Sequence, residues 1–345
     1  MDLLTWKVTR VIPEAKHTIS YVLSATSGQP VTYEAGQFLT LLFDDHGQEI
    51  RRSYSLGSTP SIDPHPFITV KKKENGAISR LILQHWTVGN TVQSLPPAGR
   101  FHIDTHSAFH RQIFFIAAGS GITPVFALLK KLLRDEPQSR AVLIYQNHNE
   151  DNIIYHEALQ QLQGQYGDRF TRIDLLSHPI LHELPHQRLN NSLLEWLINR
   201  HQHPGAQPTA FYTCGPASFM RMVQFTLRVM GIPASDIHKE NFTVDPLPPP
   251  ALDIDPTPRT VQVRQGERVH QFQVAYPQTI LAAALQQHIQ LPYSCKGGRC
   301  SACTAQCVSG EVKLYMNEVL TEADLQKGLV LTCVGYALTD LVLEL

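Results

Sequence analysis

Net charge is the first thing this sequence lacks: 29 Lys and Arg are set against 30 Asp and Glu in 345 residues, leaving a formal charge of −1. Without a global field to attract polyanions or an anionic membrane, binding to nucleic acid or to a lipid surface is not expected as a main role. An apolar leader is also missing. Met1 to His17 carries charged and polar residues at short intervals, so no signal peptide is expected and a cytoplasmic location is. The one long apolar stretch, Ile113 to Leu133, is broken by Gly119-Ser120-Gly121 and Thr123-Pro124 and ends on Lys130-Lys131. A buried strand, a tight loop and a helix are expected there rather than a membrane span. Cysteine is scarce: there are 6, of which four share one pattern, and the remaining Cys214 and Cys307 are too few for a disulfide framework. A reducing compartment fits that usage.

The four patterned cysteines carry the strongest chemistry. Cys295, Cys300 and Cys303 are spaced C-x4-C-x2-C, with Cys333 far downstream, the ligand pattern of a plant-type [2Fe-2S] cluster. In Cys295-Lys296-Gly297-Gly298-Arg299-Cys300 the adjacent glycines are expected to let the backbone curl, so that thiolates and N–H groups converge. Zinc is the rival for clustered cysteines, but zinc pairs usually read C-x2-C twice and only one such pair exists here. A carrier of single electrons is expected.

Length allows two or three domains, and the texture of the chain suggests three. Residues 1–106 read as short strands such as Gln37–Phe43, Ser53–Gly57 and Phe67–Lys72, separated by Gly and Pro clusters, the pattern of a small antiparallel β-barrel. Residues 107–245 alternate: strands at Gln112–Ala118, Ala141–Tyr145, Phe170–Leu176 and Ala210–Thr213, helices at Thr123–Arg134, Asn152–Gln163 and Ala217–Met230. That is an α/β domain with a parallel sheet. Six prolines between Asp245 and Pro258 suit an extended spacer, read as a linker over 246–258. Residues 259–345 hold a hairpin (Thr260–Arg264, Val269–Val274), a helix (Thr279–His288) and the cysteine loop.

Ala118-Gly119-Ser120-Gly121-Ile122-Thr123-Pro124 takes a strand through a glycine turn into a helix with proline in its first turn, a place where a diphosphate can sit. Pro124 occupies the third glycine position of G-x-G-x-x-G, so the loop alone is also readable as an ordinary tight turn. Three further motifs stand in order with it. Arg52-Ser53-Tyr54-Ser55 matches R-x-Y-S, Gly76-Ala77-Ile78-Ser79 matches G-x-x-S, and Cys214-Gly215-Pro216 matches C-G-P. Together they resemble the ferredoxin–NADP reductase superfamily, and with the C-terminal cysteine loop the resemblance covers nearly the whole chain. It is especially similar to the reductase components of phenylacetyl-CoA epoxidase systems and to hybrid-cluster-protein reductases.

The resemblance implies a multidomain fold: an antiparallel β-barrel FAD domain, an α/β parallel-sheet NAD(P) domain and an α+β ubiquitin-like (β-grasp) ferredoxin domain. It implies that Arg52 neutralises the FAD diphosphate, Tyr54 stacks on the flavin ring and Ser55 bonds near its reactive nitrogen, with Gly76, Ile78 and Ser79 serving the diphosphate. Gly119, Gly121 and Thr123 are implied for the nicotinamide nucleotide, and Cys214, with Gly215 and Pro216, for the slot beside the nicotinamide. Glu240, in Lys239-Glu240-Asn241-Phe242, is implied near the flavin. The expected function is NAD(P)H-dependent electron transfer through FAD and a [2Fe-2S] cluster to a partner protein, an oxygenase or another redox enzyme. A cluster-based redox sensor and a flavin reductase acting directly on small molecules are the alternatives.

Two local features stand apart. His182-Glu183-Leu184-Pro185-His186 matches H-E-x-x-H literally, but Pro185 breaks the helix that a zinc protease needs. After the Ala141–Tyr145 strand comes Gln146-Asn147-His148-Asn149-Glu150-Asp151; many relatives carry arginine where His148 stands, and arginine usually pairs with a 2′-phosphate. With Glu150 and Asp151 adjacent, NADH is favoured over NADPH.

Overall fold

The computed structural model describes residues 3–45, 47–205, 209–242 and 250–345. Those residues fall into two compact units, one of residues 3–97 with 101–242 and the other of residues 98–100 with 250–345. Of the expected linker, residues 246–249 lie outside the described residues.

The first unit begins with six strands: β1 (Leu4–Ala15), β2 (Thr18–Ala25), β3 (Phe38–Asp45), β4 (Gln48–Ser55), β5 (Phe67–Lys71) and, after helix α1 (Ala77–His85), β6 (Thr91–Ser94). They form one antiparallel sheet in the order β4-β3-β6-β1-β2-β5. A bridge between Leu56 and Ile68 joins its two edges and closes the barrel. Strand periodicity fills the interior: Trp6 and Val8, Tyr21 and Leu23, Leu39 and Leu41, Ile68 and Val70 all point inward and are buried. Two expectations shift here. The strand expected at Ser53–Gly57 is the end of the longer β4, whose Arg51 and Arg52 pair with Leu42 and Leu41. Helix α1 was not anticipated; Ile78 and Ile82, one turn apart, give it a buried stripe.

The same unit continues with β7 (Gln112–Ala118), α2 (Ile122–Asp135), β8 (Arg140–Asn147), α3 (His156–Tyr166), β9 (Phe170–Leu176), α4 (Asn191–His201), β10 (Thr209–Gly215), α5 (Ala217–Val229) and β11 (Ile237–Asn241). All strands are parallel, in the order β11-β10-β7-β8-β9. Every residue of β7 is buried, as a sheet covered on both faces requires. Ile113, Phe115 and Ala117 join the core that contains α2 and α3 residues, while Phe114 and Ile116 join the one containing α4 and α5 residues. Helix α3 starts later than expected, because Tyr155 is in the left-handed region at φ 61° and cannot be part of a helix. The H-E-x-x-H segment runs through turns and bends, as Pro185 requires.

The second unit contains β12 (Arg259–Gln265), β13 (Arg268–Val274), α6 (Ile280–Gln286), β14 (Thr304–Ser309), β15 (Val312–Leu314), α7 (Glu322–Gln326), β16 (Leu329–Leu331), β17 (Gly335–Ala337) and β18 (Leu341–Glu344). Its sheet is mixed, ordered β13-β12-β18-β14-β16, with β12 and β18 parallel. Ile280, Leu281, Ala283 and Ala284 of α6 are buried in the core that the sheet lines, the β-grasp arrangement expected.

Candidate active site and cluster loop

In the first unit three distant segments meet at one point. Ser55, at the end of β4, is buried, and its hydroxyl donates to Glu240 Oε2 at 3.1 Å. Glu240 lies on β11, in register with Cys214 on β10. Burial pushes the Glu240 carboxyl up to about 8, with the Ser55 hydrogen bond pulling the other way. Cys214 is fully buried, and burial, then the neighbouring Glu240, raise its thiol well above the ordinary value. It is therefore a neutral thiol at neutral pH and not a nucleophile. Next to Ser55, Tyr54 is pushed up to about 12 by burial, with Arg52 opposing.

Close backbone approach explains the glycines around this point. A Cβ on Gly121 would fall on the Cys214 carbonyl, and one on Gly215 would meet the Phe219 ring at 2.8 Å and the Ala118 Cβ at 3.0 Å. Gly119 adopts φ 54°, a conformation that favours glycine. A Cβ there would lie 3.5 Å from the Lys71 ammonium at the end of β5. Burial lowers the Lys71 pKa. Sequence reading missed this lysine; its one signal was the run Lys71-Lys72-Lys73 between a strand and the G-x-x-S loop, of which Lys72 and Lys73 are exposed.

Asn190, Thr279 and Thr321 cap α4, α6 and α7 with their side chains. Helix α3 has no side-chain cap, and neither do α1, α2 and α5, which start at the G-x-x-S, G-x-G and C-G-P motifs. In these last three the first turn has no side-chain acceptor, although the Ile122 amide of α2 donates to the Gly119 and Ser120 carbonyls; an anionic ligand fits the remaining N–H groups. Ser79 is occupied within its own loop: it accepts from the Lys73 amide and donates to the Gly76 carbonyl, both at 3.1 Å. Thr123 is buried near the Tyr155 phenol, and its hydroxyl oxygen has no hydrogen-bond partner among the described residues. Arg52 is exposed, its guanidinium donating to the Arg51 carbonyl at 2.7 Å.

In the second unit the cysteine loop forms a nest around its sulfurs. The amide of Gly297 donates to Cys295 Sγ at 3.4 Å and that of Cys295 to Cys300 Sγ at 3.5 Å. The turns come from Lys296, Gly298 and Ser301, at φ 52°, 71° and 58°; two of these are not glycine, and Gly297 is not among them. A Cβ on Gly298 would lie 2.9 Å from the Met316 carbonyl. The Thr332 hydroxyl and amide both donate to the Cys303 carbonyl, at 3.2 and 3.1 Å, tying the loop to the segment that brings Cys333. The sulfurs contact one another: hydrogen bonds from Cys300 and Cys333 hold the Cys295 thiol down, and those two thiols are raised in consequence. Four linked sulfurs in a cradle of amides fit a two-iron cluster.

Three family profiles match the chain in order: an oxidoreductase FAD-binding domain over 7–103, an oxidoreductase NAD-binding domain over 115–224 and a 2Fe-2S iron-sulfur cluster binding domain over 263–338. The chain is 31% identical over 335 residues to a component of the 1,2-phenylacetyl-CoA epoxidase of Escherichia coli, covering 95% of this chain and 92% of that protein. It is 30% identical to the ferredoxin reductase component of the 3-ketosteroid-9-alpha-monooxygenase of Rhodococcus rhodochrous, covering 96% and 94%. In fold it is similar to phthalate dioxygenase reductase, with a TM-score of 0.59 at 23% identity over 99% of this chain and 98% of that one.

Proposed function

We infer the function of this chain from its family: it belongs to the ferredoxin–NADP reductase superfamily, among the oxygenase reductase components that carry a C-terminal plant-type [2Fe-2S] domain. It is an oxidoreductase that uses NAD(P)H, FAD and a [2Fe-2S] cluster for electron transfer. Bound FAD supplies the exchange between a two-electron hydride and single electrons, which the cluster carries onward. The reading of the site rests on one observation, the meeting of Ser55, Cys214 and Glu240 at the junction of barrel and parallel sheet.

In this reading Arg52, the Gly76 turn and the Ile78 and Ser79 amides at the start of α1 hold the FAD diphosphate, while Tyr54 and Ser55 hold the ring. Gly119, Gly121 and Thr123 receive the dinucleotide, with Lys71 as a cation toward its phosphates. Cys214, Gly215 and Pro216 shape the nicotinamide slot. Glu240 keeps its proton up to about pH 8 and can hold or pass it through the Ser55 hydroxyl. Cys295, Cys300, Cys303 and Cys333 ligate the cluster. We assign residues 1–106, 107–245 and 259–345 to the flavin, nucleotide and ferredoxin domains, joined by the 246–258 linker, and place the protein in the cytoplasm. The acceptor is a partner protein, an oxygenase of the kind its relatives serve, with the phenylacetyl-CoA epoxidase type first among them.

Anaerobic stopped-flow absorbance with NADH and NADPH tests this reading. Flavin bleaching followed by cluster bleaching is the expected sequence, and the faster nucleotide sets the preference. Failure of both nucleotides to reduce the flavin would refute the reductase reading and leave the sensor alternative. Reduction of small acceptors undiminished by Cys300→Ser, with no oxygenase accepting electrons, would favour the flavin-reductase alternative.

A further inference from the structure

At the carboxyl end of the parallel sheet, three histidines come side by side from three segments. Beyond the ends of β8 and β9 the ladder continues, with the Ser177 amide donating to the Asn147 carbonyl at 3.0 Å and His178 to His148 at 2.7 Å. A third segment joins them through a parallel bridge between Leu176 and His186. The His148 and His178 rings are 4.4 Å apart between centroids, and the His178 and His186 rings 5.5 Å. All three are exposed.

The row is built on a scaffold. Gln146 ties the segments together: its amide donates to the carbonyls of Leu175 and Gln187 at 3.0 and 3.3 Å, and its carbonyl accepts from the Leu189 amide at 2.7 Å. Glu150 accepts from the Ile180 and Leu181 amides at 2.8 and 3.0 Å. Both of its oxygens are thus engaged with the 178–186 loop, and the negative charge that favoured NADH in the sequence is drawn toward that loop.

The position has chemical meaning. The sheet changes direction at β7, with β8 and β9 on one side and β10 and β11 on the other. Ligands of such sheets lie outside the carboxyl ends at this switch point. A dinucleotide with its diphosphate at Gly119–Gly121, after β7, meets the end of the neighbouring β8 with its adenosine ribose, where the 2′ substituent is read. His148 follows β8 directly.

We propose that the His148, His178 and His186 row reads the ribose 2′ position and is a proton-gated phosphate site, so that this enzyme prefers NADH at alkaline pH and accepts NADPH increasingly as pH falls. The proposal rests on the dinucleotide reading above. Imidazole is the side chain whose charge ordinarily changes between about pH 5 and 8. Rings this close repel one another when both are charged, and an incoming phosphate dianion relieves that repulsion, so phosphate binding takes up protons. The other charged or titratable groups on the surrounding segments are Glu150, Asp151, His182, Glu183 and Arg188, with Arg172 and Asp174 paired at 2.7 Å on β9 and His156 held by Arg172. The Ser177 hydroxyl lies 3.2 Å from His178 Nδ1.

Calorimetric titration of the holoprotein with NAD⁺, NADP⁺ and 2′,5′-ADP, at about pH 6 and about pH 8 and in two buffers of different ionisation enthalpy, tests this. The NADP⁺-to-NAD⁺ affinity ratio should rise toward acid by up to about tenfold per pH unit for each linked proton. Uptake of about one to two protons on NADP⁺ binding, and none on NAD⁺, should accompany it. Below about pH 6 the phosphate's own protonation opposes the effect, which sets the lower limit. The His148→Gln/His178→Gln double variant should lose the slope, His148→Arg should bind NADP⁺ well at both pH values, and His182→Gln should keep the slope, with thermal melts confirming that each is folded. A wild-type ratio that does not move with pH, or a slope that survives the double variant, overturns the proposal. Failure of both dinucleotides to bind overturns the dinucleotide reading itself.

Discussion

The cluster loop and the flavin–nucleotide junction are built in opposite ways. Three of the four sulfurs come from the nine residues Cys295–Cys303, and the shape of that loop is set locally by Lys296, Gly298 and Ser301 in left-handed conformations. The junction draws on residues as far apart as Ser55 and Glu240, which are 185 positions distant and still bonded. A local site loses its purpose when one ligand is lost, because the loop itself holds no spare sulfur. An assembled site degrades by degrees, since each contact contributes a part of a surface that the core of the unit holds in place.

The sharpest way to break the comparison is therefore Cys300→Ser. It should abolish the cluster absorbance and electron delivery to a protein acceptor while NADH still bleaches the flavin in stopped flow. Loss of flavin reduction as well would mean that the two regions are not separable. At the junction the largest graded effect is expected from Lys71→Met. Removing one charge-assisted hydrogen bond to a phosphate is worth about 1.5–3 kcal/mol, or roughly ten- to a hundredfold in nucleotide affinity. The rise should appear in KM, with the rate at saturating nucleotide little changed; a fall in kcat alone would place Lys71 outside the phosphate site. Gly121→Ala comes next, because the new Cβ must displace the Cys214 carbonyl. Overpacking of this kind costs about 1–3 kcal/mol, read as a lower urea midpoint together with weaker nucleotide use.

The same contrast explains what could be read in the sequence. C-x4-C-x2-C states its own geometry, so the cluster was legible without any partner segment, although the glycine account of its curl was only partly right: Gly298 turns and Gly297 does not, while Lys296 and Ser301 do. The three-layer nucleotide domain was legible because β7 and β8 carry continuous apolar runs, Ile113–Ala118 and Ala141–Tyr145. The barrel was harder. Strand β1 buries only Trp6 and Val8, and Arg51 and Arg52 hid the first half of β4. Lys71 was invisible because its meaning depends on Gly119, and the histidine row because it forms only when three segments align. The resemblance placed Ser55 and Glu240 each near the flavin, but their hydrogen bond was not anticipated, and no local pattern could have shown it.

The smallest expected effect is a dependence of stability on pH that belongs to the assembled junction alone. The Glu240 carboxyl is raised to about 8 in the folded chain by burial, so the folded state holds that proton more tightly than the unfolded one. Its contribution is then most favourable below the ordinary value of 4.5 and is lost as pH climbs toward about 8. Because the residue keeps partial contact with solvent, screening reduces the effect. Thermal melts of the full-length protein should show a melting temperature for the reductase unit that declines by a few degrees from about pH 5 to about pH 8. Glu240→Gln, which cannot ionise, should flatten that decline without altering the melting of the ferredoxin unit. A decline of equal size in the variant would assign the titration to another group and remove Glu240 as the proton holder at the junction.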